Sequence, residues 1–204
     1  MKNRIVVLLL AIILFYQCSE RKASDGTSNR EEFPTENTPS YGGFESQIEW
    51  GEHLVIIGLC NDCHTPKKMT ASGLVLDTAS WLSGHPSTIP GIDFDRKVIE
   101  GRKIVVRSIL SREWVGPWGV SYAANLTPDD TGIGNWTEKQ FFTALREGKY
   151  KGLAESRPLL PPMPWEMYRY MTDNEIRAIF AYLKSIKPIS NLVPPSLPSA
   201  SATK

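Results

Sequence analysis

The chain has 204 residues, with 23 basic against 22 acidic side chains and three cysteines. A near-neutral balance excludes the electrostatic footprint of a nucleic-acid binder, and so few cysteines exclude a disulfide-stapled scaffold. The length suits one globular domain with tails, large enough to bury its own core. At the start, Lys2 and Arg4 precede an apolar run from Ile5 to Phe15. That run is short of the about 20 residues a bilayer span needs, so residues 1–17 read as an export signal peptide. Cys18 follows where such a signal is cut. It reads as a lipid-anchor cysteine, with an incidental cysteine as the alternative, since Phe15-Tyr16-Gln17 departs from the usual Leu-small-small run. Residues 18–45 are rich in Ser, Thr, Glu, Asn, Pro and Gly and are expected to form a disordered tether.

Trp50, Leu54, Ile57 and Cys60 recur at helical spacing and predict a helix from about Gln47 to Cys60. Gly51 and Gly58 are costly inside a helix, so close approach is their expected use: Gly51 to another helix, Gly58 to the cofactor side. His53 reads as a surface or packing residue. Cys60-Asn61-Asp62-Cys63-His64 is a C-x-x-C-H motif, the pattern of c-type haem attachment. Two thiols three positions apart share one helical turn and can add to the two vinyl groups of one haem. The histidine beside the second thiol is then held against iron through a neutral imidazole. A zinc site would need a second ligand pair, and Cys18, His53 and His85 lack the spacing. A redox dithiol would need a βαβ context, which is absent.

From Lys67 to Ser121 glycines and prolines punctuate an irregular region. Lys103 to Leu110 is rich in β-branched residues and predicts a short strand, with pairing near Val120-Ser121-Tyr122 allowed. Trp81, Trp114, Trp118 and Tyr122 are candidates to wall an apolar cofactor, with ordinary packing as the alternative for each. Thr137-Glu138-Lys139-Gln140 is a capping box that starts a helix with Phe141, Ala144 and Leu145 on its apolar face and Gly148 as its stop. Thr172-Asp173-Asn174-Glu175 starts a last helix carrying Ile176, Ile179, Phe180, Leu183 and Ile186, ended by Pro188. Tyr182 lies where it could pack on Gly51. Residues 188–204 are expected to be a loosely ordered tail.

A second strong ligand would make such an iron an electron carrier. Met69 stands too near His64 in sequence to reach the opposite face, and Met167 and Met171 read as packing. Met163 sits in Leu159-Leu160-Pro161-Pro162-Met163-Pro164-Trp165, a loop its prolines stiffen. It is the expected distal ligand, with His85 as the alternative. Thioether ligation favours Fe(II) and raises the potential relative to two histidines.

Helix, C-x-x-C-H, long middle, Met loop and final amphipathic helix together resemble the cytochrome c family over residues 46–187. GPWGVSYAANLTPDDTGIGNWTEKQF (116–141) and RPLLPPMPW through IFAYLKSIKPISNLVP are more specific. They are similar to the cytochrome modules of bacterial membrane alcohol and gluconate dehydrogenases and to dihaem cytochrome c-553-like proteins. The resemblance implies an all-α cytochrome c fold with a long irregular insertion in which a short β-hairpin is allowed. It implies haem c held by Cys60 and Cys63, ligated by His64 and Met163, and electron transfer rather than catalysis. With one C-x-x-C-H in the chain, one haem is expected. Candidate propionate contacts are Arg157, Asn125 and Trp118. The expected setting is periplasmic and membrane-anchored through Cys18, with redox proteins (a dehydrogenase, oxidase or reductase) as partners. The alternatives are the electron-accepting subunit of a membrane dehydrogenase, or an open-site haem enzyme such as a peroxidase.

Overall fold

Two helices that cross on a glycine carry the core. The structure is a computed structural model that describes residues 40–110 and 112–202, so the expected signal peptide, Cys18 and nearly all of the tether lie outside it. In chain order the elements are α1 (Gln47–Ile57), α2 (Cys60–His64), β1 (Lys67–Thr70), β2 (Gly73–Leu76), α3 (Arg96–Arg102), β3 (Val106–Arg107), β4 (Glu113–Gly116), β5 (Gly119–Tyr122), α4 (Glu138–Glu147), α5 (Trp165–Tyr168) and α6 (Asp173–Ser185). α1 starts on Ser46, whose hydroxyl accepts from the Glu49 N–H, and it buries Gly51, Leu54 and Val55. α6 starts on the reciprocal Thr172/Glu175 capping box and buries Ile176, Ala178, Ile179, Tyr182 and Leu183. A Cβ on Gly51 would stand 2.0 Å from the Ala178 carbonyl oxygen and 2.8 Å from the Tyr182 Cβ, so the crossing needs glycine there. α4, opened by the Thr137/Gln140 capping box and closed by Gly148 at φ 64°, adds Phe141, Ala144 and Leu145 to the same core. Its Phe141 ring lies 5.1 Å from that of Phe180 on α6.

The first helix is shorter than its periodicity suggests. It stops at Ile57, Gly58 caps it, and Leu59 turns into the left-handed region at φ 58° before α2 begins. The Gly58 carbonyl is drawn out of the helix by the Tyr168 hydroxyl. This break gives the C-x-x-C-H segment its own helical turn.

The all-α expectation does not hold. The described residues form a mixed structure, 36% helix and 13% strand in two small sheets. β1 and β2 form a hairpin, turned where the Thr70 hydroxyl donates to the Gly73 carbonyl at 2.9 Å. β3, β4 and β5 form an antiparallel sheet in chain order. The strand expected over 103–110 contracts to Val106–Arg107, and it pairs with β4, which stands between it and Val120–Tyr122. The cause is local. Gly119, at φ 102°, closes a tight turn through Pro117 and Trp118 and pairs with Gly116, so β4 folds back on β5. Val115 and Val120 then face Ile99 of α3 in a second small core, where β-branched side chains fit a pleated surface.

The tail also differs from expectation. Residues 188–202 are tied back onto the domain rather than loose. The Asn191 side-chain amide donates to the Ser83 and His85 carbonyls (2.7 and 2.8 Å), and its oxygen accepts from the Ser87 N–H. Leu197 makes a bridge with Val120, and Glu100 of α3 accepts from the Ala200 N–H and the Ser199 hydroxyl. Among the described residues no helix is long and apolar enough to cross a membrane.

Two glycine substitutions test this packing in denaturant unfolding of the holoprotein. Gly51→Ala forces α1 off the Ala178 carbonyl and is expected to cost about 2–3 kcal/mol, the upper part of the range for overpacking. Gly101→Ala, in α3 with nothing within 4 Å of the added Cβ, should instead stabilise by about 0.5–1 kcal/mol.

Candidate haem-binding site

The helical turn of α2 carries Cys60, Cys63 and His64. Both cysteines are free thiols, half-buried rather than bonded to each other. Burial pushes Cys60 up to about 12 and raises Cys63 as well. A redox-active dithiol needs the opposite, a thiol depressed toward neutrality. Among the described residues no group of three or more His, Cys, Asp or Glu side chains comes together, so the pair does not sit in a zinc-type ligand set either. Next to it, Asp62 pairs with Lys67 at 2.7 Å, which holds the Asp62 carboxyl below its usual range.

His64 is buried, 8% exposed, and its Nδ1 lies 2.8 Å from the Ala124 carbonyl oxygen, sixty residues away. A carbonyl can only accept, so Nδ1 carries the proton and Nε2 keeps the free lone pair. Burial lowers the His64 pKa, keeping the ring neutral as a metal ligand must be. An imidazole whose second nitrogen donates to a backbone carbonyl is the arrangement that fixes and strengthens a metal-binding histidine. Ala124 lies just beyond β5, so the β4–β5 hairpin positions the acceptor. The backbone of Gly84 and His85 runs along the same side: the Gly84 N–H donates to the His64 carbonyl at 2.7 Å and the His85 N–H to that of Ala123 at 2.9 Å. The His85 ring is fully buried against Tyr122, centroids 4.6 Å apart.

The core reached by α1, α4 and α6 is lined by Cys60, Trp81, Trp136, Met163, Tyr168 and Met171, all partly buried against it. The structure thus brings Cys60 and Met163 to one apolar cluster. Met69 and Met167, each 64% exposed, stand outside it. The loop carrying Met163 is pinned twice just before the methionine: the Leu159 N–H donates to the Gly148 carbonyl at 2.6 Å, and the Ser121 hydroxyl of β5 donates to the Pro161 carbonyl at 2.6 Å. The Trp118 indole donates in turn to the Ser121 hydroxyl at 3.1 Å. Ser121 and Ala124 carry no signal in the sequence. Ser121 is an ordinary strand serine there, and Ala124 acts through its backbone, which no side-chain motif reports.

The aromatic candidates divide. Trp81 packs on the core and its indole donates to the Tyr182 hydroxyl at 3.1 Å. Trp114 is buried in β4, Trp118 supports Ser121 and through it the Met loop, and Tyr122 packs on the second small core and the His85 ring. The Asn125 amide donates to the Thr131 hydroxyl and the Ile189 carbonyl while its oxygen accepts from Thr127, tying the tail to the core. Arg157 stacks on Tyr150 at 4.0 Å and donates to the Pro158 carbonyl and the Ser196 hydroxyl. Several buried polar atoms stay unengaged among the described residues, Asn61 Oδ1 and Arg96 Nε among them, and the most deeply buried charged case is Arg112, a residue with 0% exposure whose two terminal nitrogens have no hydrogen-bond partner. A buried apolar cluster, a paired thiol turn, a neutral histidine with a free Nε2 and a spare buried cation together fit a dianionic macrocycle with an iron centre.

No family model matches the chain. It is 28% identical over 169 residues to a nicotinate dehydrogenase component of Pseudomonas putida, covering 81% of this chain and 11% of that protein. It is 29% identical over 166 residues to the fructose dehydrogenase cytochrome subunit of Gluconobacter japonicus, covering 80% of this chain and 26% of that protein. It is 30% identical over 165 residues to the alcohol dehydrogenase (quinone) cytochrome c subunit of Komagataeibacter europaeus, covering 80% of this chain and 28% of that protein. The chain therefore spans well under a third of each of these relatives. These comparisons and the site agree: the chain is a cytochrome c family member, related to the cytochrome c subunits of alcohol, fructose and gluconate dehydrogenases.

Proposed function

We propose that this cytochrome holds one haem c through Cys60 and Cys63, ligates its iron with His64 and Met163, and carries single electrons between redox proteins. The observation that carries the reading is the Nδ1–H bond from His64 to Ala124, which leaves Nε2 as a fixed, neutral donor beside the two thiols. When bound, the haem supplies the Fe(III)/Fe(II) couple. The chain's own residues supply the rest. Cys60 and Cys63 offer two sulfurs from one helical turn for two covalent bonds. His64 is held in one tautomer and one orientation. The loop from Leu159 to Trp165, anchored by Gly148 and Ser121, keeps a thioether ordered at the cluster that Cys60 shares. His85 is less well placed for the distal side, because its backbone is hydrogen-bonded along the side of His64. Trp81, Trp136 and Tyr168 exclude water around the site, and burial pushes the Tyr168 phenol up to about 12, so it stays a neutral donor.

The reading extends to export of the chain and lipid attachment at Cys18. A membrane dehydrogenase is the favoured electron donor, because the relatives are dehydrogenase cytochrome subunits. In that case the protein is either a free carrier or the electron-accepting subunit.

Covalent attachment is checked by intact mass after denaturation. The wild type is expected to keep the mass of one haem, Cys60→Ala with Cys63→Ala to keep none, and a second haem mass would contradict the stoichiometry. Met163→Ala should abolish the weak ferric iron–thioether charge-transfer band. It should also lower the midpoint potential by a substantial part of the roughly 0.8 V that axial ligands span. Met167→Ala should change neither. If the wild-type iron is already high-spin and reacts with peroxide, the open-site enzyme reading replaces the carrier.

A further inference from the structure

Arg112 is built in a way that core packing does not explain. It is fully buried, yet only its Nε is engaged, donating to the Thr65 carbonyl at 2.7 Å, one residue past His64. Nη1 and Nη2 have no partner among the described residues. A buried cation with unpaired donors is among the more costly arrangements a core can hold. The nearby carboxylates do not relieve it. Asp62 is close enough to interact with the guanidinium electrostatically but makes its ion pair with Lys67, on the solvent side. Glu113, next in the chain, spends its carboxylate on the Ile92 N–H at 2.9 Å instead. Arg107 adds a like charge.

The backbone at Arg112 is also forced. Its φ is 60°, in the left-handed region that disfavours a residue with a Cβ. The Ala123 N–H holds that conformation by donating to the Arg112 carbonyl at 3.1 Å, one residue before the carbonyl that orients His64. Arg112 is therefore tied to the backbone neighbours of both partners of the His64–Ala124 bond, Thr65 beside His64 and Ala123 beside Ala124. Strain of this kind, aiming a charged fork into a core, points to a ligand.

We propose that Arg112 is the chain's carboxylate seat for the haem, its two free terminal nitrogens pairing with a propionate in the fork geometry that guanidinium and carboxylate share. The pairing neutralises the buried cation and ties the macrocycle to the turn beyond His64. A positive charge held there also disfavours Fe(III), so Arg112 contributes to keeping the potential high. The inference rests on the haem reading above. Its failure is distinct from that reading's: without haem the wild type would carry no covalent chromophore, whereas here the wild type is loaded and only the seat is in question.

The test is resonance Raman spectroscopy of the ferrous holoprotein, reading the propionate-bending band, which follows hydrogen bonding of the carboxylate. It is paired with the midpoint potential. Arg112→Lys and Arg112→Gln are expected to shift the band and lower the potential, with Lys giving the smaller fall, while Arg177→Gln on the surface of α6 changes neither. A band that stays put in both Arg112 variants, or that moves with Arg157→Gln instead, overturns the proposal, even if the potential falls. Because an emptied buried site can prevent maturation, the wild type supplies a second readout. Proton NMR of the ferrous protein should show slowly exchanging Arg112 terminal guanidinium protons with cross-peaks to propionate methylene protons. Guanidinium protons that exchange freely and lack those cross-peaks overturn the proposal without any variant.

Discussion

The hydrogen bond from His64 Nδ1 to the Ala124 carbonyl is the constraint on which the rest depends. It joins the helical turn of the C-x-x-C-H motif to the exit of a β-hairpin sixty residues later, and so it converts a sequence motif into a site. One proton location decides the chemistry. With Nδ1 committed as donor, Nε2 is the ring nitrogen left as an acceptor or ligand, and the ring cannot rotate away without leaving a buried N–H and a buried carbonyl unpaired. The backbone around it is locked by the same hairpin: His64 is tied to Gly84, Ala123 to His85 and to Arg112. The small sheet, for which an all-α cytochrome plan has no place, is thus what supplies the acceptor.

The same hairpin reaches the other candidate ligand. Ser121 on β5 holds the Pro161 carbonyl, two residues before Met163, while Ala124 just past β5 holds His64. A single rigid element therefore references both residues proposed to ligate iron. Under the proposed ligation, that sharing would hold the two residues in register through a change of oxidation state, which suits a carrier rather than a site that opens to substrate. The helices contribute differently. α1 and α6 meet closely because Gly51 has no side chain, and that contact supplies the apolar floor on which Cys60 and Met163 both pack.

How much of this is legible in the sequence follows from the length scale of each signal. The helices are readable because capping boxes at Thr137 and Thr172 and ten or more periodic residues reinforce one another, and Gly51 is readable as a crossing point because glycine inside such a helix needs a reason. The grouping of Cys60, Cys63 and His64 on one turn is readable because the spacing alone dictates it. The strands are only partly so: the β-branched run at 103–110 marks β3, but β4 and the bounds of each strand are lost in segments of two to four residues broken by Gly116, Pro117 and Gly119. The tail reads as loose because its order comes from Asn191 and Glu100, distant side chains that composition cannot report. Ala124 acts through a carbonyl and Arg112 through its surroundings. Neither residue type marks these surroundings, which only the fold discloses.

The most direct test of the central claim is proton NMR of the ferrous wild-type holoprotein with residue-specific assignment of the methionine methyl groups. The account predicts that one methionine methyl, that of Met163, is driven far upfield by the porphyrin ring current, while those of Met69, Met167 and Met171 stay near their ordinary positions. A spectrum with no strongly upfield methyl, or one in which the shifted methyl belongs to another methionine, would contradict the His64/Met163 iron on which the electron-carrier reading stands.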